Sequence, residues 1–184
     1  MKIRRMDESP LERWERIDGV IYDMSPPPTS DHQSILSNLV RDIAMYLKGK
    51  KRRVYPAPFG VWLDANDKGN YIEPDITIVC DPNKIRSQGC VGAPDMIMEI
   101  FSPSTALKDK TVKLRAYKVA GVREYWIVDG ANEFVEIHSF LENMFDGPTI
   151  HGKNDTICVG IFPDLKINLE DIFSFAQDVD SERL

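Results

Sequence analysis

Long apolar runs are absent from this chain of 184 residues. No segment approaches the roughly 20 consecutive apolar residues that a membrane-spanning helix requires. The first residues, MKIRRMDESPLERW, include basic side chains but are not followed by the apolar stretch of a signal peptide. We therefore expect a cytoplasmic protein with no membrane partner.

Cysteine is also scarce, and the signature motifs of several enzyme classes are missing. The three cysteines, Cys80, Cys90 and Cys158, are odd in number and include no CxxC pair, so we expect reduced thiols rather than a disulfide scaffold or a zinc site. The chain lacks the GxSxG elbow, the phosphate-binding GxxxxGK(S/T) loop and the dinucleotide-binding GxGxxG motif. These absences argue against the enzyme classes that depend on those motifs.

An excess of positive charge is absent as well. The 29 acidic residues outnumber the 23 basic ones, and the formal net charge of -6 argues against charge-driven coating of DNA or RNA. A local basic groove is compatible with this balance. The candidate is a run of five cations between Lys48 and Arg53, at the end of a predicted helix. This run either compensates the helix dipole beside a solvated turn or contacts phosphate.

The chain does contain enough apolar sequence for one core. Hydrophobic residues make up 42% of it and charged residues 28%, and no shift in composition marks a second domain. We predict a single domain over residues 1–176 and a frayed tail over residues 177–184.

The order of predicted elements indicates an α/β fold with a mixed central sheet flanked by helices. Residues 14–24 form a β-hairpin around an Asp-Gly pair, and Ser30 or Asp31 provides the N-cap of an amphipathic helix that runs to about Lys48. A second helix, over about residues 106–120 and ended by Gly121, joins two apolar strands. A crossover of this length implies that these strands are parallel neighbours. The predicted strands cover residues 54–55, 60–63, 71–79, 96–101, 124–128, 134–140, 156–159 and 165–169, with a loop at 146–155 and a last helical turn at 170–175.

Two of these strands each carry an acid in an otherwise apolar segment, Asp75 in IEPDITIV and Glu99 in PDMIMEIFS. A carboxylate there is costly to desolvate unless it binds a cation or a hydrogen-bond donor. If the strands are neighbours, about 5 Å apart, both acids can reach one hard cation such as magnesium, with the backbone carbonyl of Ile100 and waters completing the shell. Asp95 also follows a proline, but it lies about 13 Å from Glu99 along the same strand and cannot share that ion.

A lysine on the second helix completes this constellation. Asp109, Lys113 and Tyr117 are spaced by four and form one stripe, and neighbouring alanines indicate that the stripe faces the sheet. Lys113 could then position the attacking water and stabilise charge on a phosphate, while Asp109 holds the lysine chain. The alternative is a surface salt bridge between Lys113 and Asp109.

Five segments carry a resemblance to a known family: WERIDGVIYDMSPPPTSDH, EPDITIV, APDMIMEIFSPST, KDKTVKLRAY and GVREYWIVD. In order and spacing they resemble the Uma-type restriction endonuclease family of the PD-(D/E)xK nuclease-like superfamily. The resemblance implies a restriction-endonuclease-like fold, with Asp75 and Glu99 as ligands of Mg²⁺, or of Mn²⁺ as a substitute, and Lys113 as the catalytic lysine. The general motif puts the lysine where this chain has Phe101, but the Uma-type family moves it onto the following helix.

The resemblance also marks His32 and Glu15. His32 follows the proline-rich turn and is implied to contact water, metal or phosphate, although its position alone predicts only a residue at a helix start. Glu15 is implied to lie in the outer shell of the metal, or else it is a salt-bridge partner within the hairpin. His138 and His151 have no assigned role.

The leading hypothesis is therefore a magnesium-dependent endonuclease acting on DNA. Two rivals keep the fold without cleavage: a nucleic-acid-binding or regulatory module, and a structural protein that dimerises through an exposed sheet or helix. A homodimer is expected in the leading hypothesis, because a two-fold arrangement suits the cutting of two antiparallel strands.

Overall fold

A computed structural model of the protein describes residues 13–24, 27–64, 69–101, 108–141 and 147–174. The predicted tail at 177–184 and the predicted helix start near residue 106 lie outside these residues. The helices are α1 (Ser30–Leu47), α2 (Leu114–Ala120) and α3 (Leu169–Phe173), and a 3₁₀ turn covers Pro82–Lys84. The strands are β1 (Trp14–Ile17), β2 (Val20–Asp23), β3 (Arg53–Pro56), β4 (Gly60–Trp62), β5 (Tyr71–Ile72), β6 (Ile76–Val79), β7 (Ile85–Arg86), β8 (Gly89–Val91), β9 (Met96–Ile100), β10 (Glu124–Asp129), β11 (Phe134–Ser139), β12 (Thr149–Gly152), β13 (Thr156–Val159) and β14 (Phe162–Asn168).

The first sheet has the strand order β2-β1-β5-β4-β8-β7. It begins with the predicted hairpin, in which β1 and β2 pair antiparallel. Asp18 and Gly19 both have positive φ, 51° and 79°, as the tight two-residue turn between twisted strands requires. The sequence prediction for this hairpin is therefore confirmed.

The second sheet has the strand order β12-β11-β10-β9-β6-β3 and is mixed. Strands β9 and β10 are parallel neighbours, as the helical crossover between them predicts. Strands β6 and β9 are antiparallel neighbours, with Ile76 opposite Met98. The next position along this register places Asp75 opposite Glu99. The predicted mixed α/β fold is confirmed.

Two hydrophobic cores cover the two faces of the second sheet. Helix α1 buries Ile35, Leu39 and Ile43 at its predicted spacing, in the core that also contains Met96 and Met98 of β9. The other core lies between the first sheet, α2 and the opposite face of the second sheet, and it includes Ile97 of β9, Ile17 and Tyr117. Because side chains alternate along a strand, Glu99 shares the face of Ile97 and points toward α2.

The structure differs from the prediction in two strands and one cap. Residues 71–79 do not form one strand: β5 belongs to the first sheet and β6 to the second, and Pro74, which has no N–H to donate to a ladder, lies in the break. Strand β12 lies within the predicted loop at 146–155 and pairs with β11. The side chain that caps α1 is that of Thr29, which accepts a hydrogen bond from the His32 N–H.

All three cysteines are free thiols, as predicted. Within the described ranges, none of the helices is both long and apolar enough to cross a membrane.

Candidate active site

A cavity of about 760 Å³ opens where the hairpin, the start of α1 and the ends of β6 and β9 meet the start of the second helical segment. Seven of the residues singled out in the sequence line it: Glu15, His32, Asp75, Glu99, Ile100, Asp109 and Lys113. Tyr117, the eighth, lies behind the cavity wall and contacts Glu99. The structure therefore brings all eight of these residues into one region.

Glu99 is the centre of a buried polar network. The residue is only 4% exposed, and its carboxylate accepts hydrogen bonds from the Lys113 ammonium at 2.8 Å and from the Tyr117 hydroxyl at 2.7 Å. Both of these bonds end on Oε1. The second carboxylate oxygen, Oε2, receives neither of them, and Glu99 lines the cavity.

Lys113 is as deeply buried as its partner, with 3% of its surface exposed. Its ammonium lies 2.8 Å from Glu99, 2.9 Å from Glu15 and 3.6 Å from Asp109. The surface salt bridge, which was the alternative for this residue, is therefore wrong for its location. A lysine without water needs such partners, because an unpaired buried charge is far too costly.

The position of Lys113 depends on an unusual backbone segment. Residues Asp109–Lys113 form a π-helical turn that leads directly into α2, whereas the sequence predicts an ordinary helix there. Tyr117, which belongs to the predicted stripe, and the neighbouring Ala116 are then buried against the second sheet. π-helical turns occur frequently at functional sites, where they redirect individual side chains.

Glu15 joins the hairpin to this network. The side chain has no exposed surface and holds two lysines: its Oε1 lies 2.9 Å from Lys113 and its Oε2 lies 2.7 Å from Lys108. Oε1 also accepts a hydrogen bond from the Glu73 N–H at 3.3 Å. Burial raises the pKa of Glu15, but the two lysines lower it by more, so that the net pKa lies below its ordinary value.

Lys108 is the residue of this site that the sequence reasoning missed. Its partner Glu15 lies 93 positions earlier in the chain, and a basic residue near a helix start carries no signal of such a pairing. The spacing to Lys113 is five residues, which a π-helical turn rather than an α-helix brings to one side.

Asp75 is fixed from two sides. Its Oδ2 accepts the backbone N–H of Ile100 at 2.8 Å and lies 3.2 Å from Nε2 of His32. His32 itself lies in the first turn of α1, where its backbone N–H donates to the Thr29 side chain. As with Glu99, the second carboxylate oxygen of Asp75 receives neither of these contacts, and Asp75 lines the cavity.

The titration behaviour reflects the crowding of charge. Burial raises the pKa of Glu99 to about 8, although the Lys113 ammonium opposes this shift. Burial works against the charge of Lys113 as well, but Glu99, Glu15 and Asp109 together raise its pKa well above the ordinary value. Burial, followed by the Glu99 charge, also raises the pKa of the Tyr117 hydroxyl.

The charges at this site do not balance. Of the charged residues that line the cavity, the six described above are four carboxylates, Glu15, Asp75, Glu99 and Asp109, and two ammonium groups, Lys108 and Lys113. With all six groups ionised, this leaves a formal charge of −2. A divalent cation would neutralise that charge.

The donor set fits a magnesium-type ion better than a zinc-type ion. No group of three or more His, Cys, Asp or Glu side chains that could hold a metal occurs within the described part of the chain. Asp75 and Glu99 instead offer one oxygen each that accepts no hydrogen bond from another described residue. Magnesium commonly binds proteins through one or two carboxylates and keeps several waters or substrate oxygens, so two carboxylates suffice for it.

Two other groups identified in the sequence lie outside the cavity. Asp95 accepts the Cys80 N–H and pairs with Arg123, which agrees with its interpretation as a residue at the start of a strand. The basic run follows the opposite end of α1, about 24 Å from His32 by the rise of the helix. There the Lys50 ammonium lies 3.1 Å from the ring centroid of Tyr46.

Two further contacts involve this basic run. The Arg52 guanidinium lies over the Phe162 ring, and Arg53 donates to the Lys50 carbonyl. These contacts within the chain favour the structural interpretation of the basic run.

Solved structures and sequence relatives show what this chain is similar to. It has a TM-score of 0.71 and 21% identity to the crystal structure of a putative nuclease belonging to DUF820 from Anabaena variabilis, over 88% of this chain and 90% of that one. It is 29% identical to the uncharacterized protein slr1290 of Synechocystis sp. over 74% of this chain and 70% of the relative. The uncharacterized protein sll1609 of the same organism is 25% identical over 67% of this chain and 70% of its own length.

The resemblance inferred from the five sequence segments is confirmed by a family model. The model matches residues 2–170 and describes its family as putative restriction endonuclease. A match of this extent includes the hairpin, every residue of the cavity described above and both cores except Ile172 and Phe173. The chain therefore belongs to the Uma2 family of putative restriction endonucleases.

Proposed function

We propose that this protein is a magnesium-dependent endonuclease that hydrolyses phosphodiester bonds of DNA, with Mn²⁺ as a possible substitute. The observation that carries the proposal is the convergence of Asp75, Glu99 and Lys113 on one cavity, from two adjacent strands and a helix. Family membership supports nuclease chemistry in general. The net negative charge supports the divalent ion, because a polyanionic substrate would otherwise be repelled.

Asp75 and Glu99 would hold the ion through the two oxygens that receive no bond from His32, Ile100, Lys113 or Tyr117. The Ile100 N–H and His32 fix the orientation of Asp75, and Lys113 and Tyr117 fix that of Glu99. The Ile100 carbonyl stays the third predicted ligand. When bound, the metal would supply Lewis-acid stabilisation of the charge that develops on the phosphate.

Lys113 has two tasks in this proposal. It keeps Glu99 oriented by donating to Oε1, and it supplies positive charge close to the reacting phosphate. Three carboxylates around it keep it protonated, because each raises its pKa. It therefore acts as a fixed cation that positions the attacking water rather than as a base that accepts its proton.

His32 is the candidate for assisting proton transfer. Its Nε2 contacts Asp75, whereas its Nδ1 is buried and has no hydrogen-bond partner within the described residues. Because the Asp75 carboxylate can only accept, Nε2 carries the proton of the neutral imidazole, and Nδ1 is left as the acceptor that would take a proton.

Cleavage of DNA tests this proposal. We expect purified protein to cut a mixture of duplex and single-stranded DNA in Mg²⁺ and to stop in EDTA. Asp75→Asn keeps an oxygen that can accept the Ile100 N–H but removes the charge, and it should lower cleavage by more than about 100-fold. Asp95→Asn is the matched control, because Asp95 also follows a proline but lies outside the cavity.

The outcomes separate the proposal from its rival. Metal-dependent cutting that Asp75→Asn abolishes and Asp95→Asn preserves would support it. Salt-sensitive DNA binding with no cutting in any divalent ion would instead support the alternative, a nucleic-acid-binding or regulatory module. The homodimer and the cytoplasmic location stay predictions, and sedimentation of the purified protein would test the homodimer.

A further inference from the structure

Among the described residues, three lysine or arginine side chains line the cavity: Arg13, Lys108 and Lys113. They differ in how many acidic groups already hold them. Lys113 is surrounded by three carboxylates and has 4% of its side chain exposed. Its donors are thus directed at the protein, which leaves little surface for a substrate.

Arg13 is more exposed, but its guanidinium is committed. Its Nε and Nη2 donate to the same oxygen of Glu73, at 3.1 and 2.6 Å. The other oxygen of Glu73 accepts the Tyr71 hydroxyl at 2.6 Å, so this carboxylate is itself fixed. This pair uses two of the five N–H donors of Arg13, but among the described residues Arg13 makes no ion pair with Glu15, the carboxylate that holds Lys113.

Lys108 is different from both. Its side chain is 17% exposed, and among the described residues its ion pair is with one carboxylate, Glu15, at 2.7 Å. The ammonium also lies 5.5 Å from the ring centroid of Tyr22. An ammonium has three N–H donors, and one ion pair of this kind uses one of them. The other two N–H donors of Lys108 remain, and Lys108 lines the cavity.

Glu15 ties this lysine to the catalytic one. A single fully buried carboxylate holds Lys113 on Oε1 and Lys108 on Oε2, so the two ammonium groups have a fixed relation to each other. Any phosphate whose charge Lys113 stabilises would therefore lie close to Lys108. The arrangement has one buried cation for chemistry and one accessible cation at the cavity wall.

We propose that Lys108 binds a backbone phosphate of the nucleic-acid substrate in this cavity, next to the phosphate that is cleaved. This assignment rests on the proposed nuclease function and adds the residue that holds the substrate. A phosphate contact of this kind gives affinity without reading sequence. It also makes binding dependent on salt, because each neutralised phosphate releases condensed counterions.

The test measures oligonucleotide binding as a function of salt, with fluorescently labelled duplex and single-stranded DNA and with calcium in place of magnesium to keep the DNA intact. For Lys108→Met we expect the slope of log K against log salt to fall by about 0.9 for duplex or about 0.7 for single strand, the value for one phosphate. Lys108→Arg, which retains a cation, should keep the slope of the wild type.

Lys110→Met is the matched control. Lys110 lies two residues further along, pairs with Glu136 at 2.6 Å and does not line the cavity. Its removal should leave the slope unchanged. In cleavage assays, Lys108→Met should raise KM with little change in kcat, because a contact made equally in the ground state and the transition state affects binding alone.

Two results would overturn the assignment, and they can be told apart. If the wild type cleaves DNA but Lys108→Met keeps its salt slope and loses kcat and stability instead, Lys108 merely neutralises Glu15 and the nuclease proposal stands. If the wild type neither binds nor cleaves any DNA, the proposed function fails, and the assignment fails with it.

Discussion

Lys113 shows what a single residue contributes to this site and what it costs. Lys113 is 3% exposed, so its ammonium group has lost almost all of its hydration. Three neighbouring carboxylates take the place of the lost water molecules. Those neighbours are buried as well: Glu15, Glu99 and Asp109 are between 0% and 4% exposed. Each group in the cluster is thus tolerable only because of the others.

Removal of the Lys113 ammonium should therefore lower the free energy of unfolding considerably. In Lys113→Met the three buried carboxylates lose their shared counter-ion, and we expect the free energy of unfolding to fall by about 3–5 kcal/mol. Urea denaturation of the metal-free protein measures this. The control is Lys153→Met, which removes one partly exposed partner of Glu133 and should cost less than about 1 kcal/mol. Equal losses in both variants would contradict the buried network.

The sequence predicts some of these residues well and others poorly. Asp75 and Glu99 are recognisable because an acid in an apolar strand needs a partner, and Lys113 because it shares a helical stripe with Asp109. The pairing of Glu15 with Lys108 spans 93 positions and involves two different elements, so no local pattern reveals it. Long-range ion pairs depend on the three-dimensional fold, so local patterns in the sequence cannot predict them.

Element boundaries decide where the site residues lie. The break at Glu73, Pro74 and Asp75 passes the chain from the first sheet to the second, and it places Asp75 at the end of β6 next to Ile100. Apolar residues flank this break on both sides, with Ile72 before it and Ile76 after it, which is why the sequence predicts one strand. Similarly, helical spacing predicts α2 but cannot distinguish an α-helical turn from the π-helical turn at its start.

Gly121 is an element boundary that the sequence predicts correctly, and it can be tested. It ends α2 with φ of 92°, and a Cβ added there would meet no atom within 4 Å. Gly121→Ala should therefore lose stability only through backbone strain, by about 1–2 kcal/mol. In this variant, the end of α2 that leads into β10 would be less well fixed.

The control for this substitution is Gly152→Ala. Gly152 also has open space around its Cβ position, but its φ is not positive. We expect its unfolding free energy to stay within about 0.5 kcal/mol of the wild type. Thermal or urea denaturation of both variants decides the matter, and a loss at Gly152 as large as that at Gly121 would mean that the left-handed conformation is not the cause.

At the scale of the whole molecule, the cavity lies where the two sheets and two helical segments meet, so acidic groups from distant parts of the chain accumulate there. The chain as a whole is acidic, with a formal charge of -6, and acidic side chains also outnumber basic ones in the lining of the cavity. Repulsion among these carboxylates opposes folding in the absence of a counter-ion. In the proposed function, this loss of stability would be the cost of a site that attracts a divalent cation.

Metal should therefore stabilise the entire fold and not only support activity. A ligand that binds only the native state raises the unfolding free energy by about 2.7 kcal/mol at 100 times its Kd and by about 4.1 kcal/mol at 1,000 times. We expect urea denaturation in Mg²⁺ to show this increase relative to EDTA for the wild type and for Asp95→Asn. Asp75→Asn should lose the increase, because one of the two carboxylates with an uncommitted oxygen is gone. Sodium chloride of equal ionic strength controls for screening, which would act on all three proteins alike. The same stabilisation in Asp75→Asn would place the ion elsewhere and remove Asp75 from its ligand set.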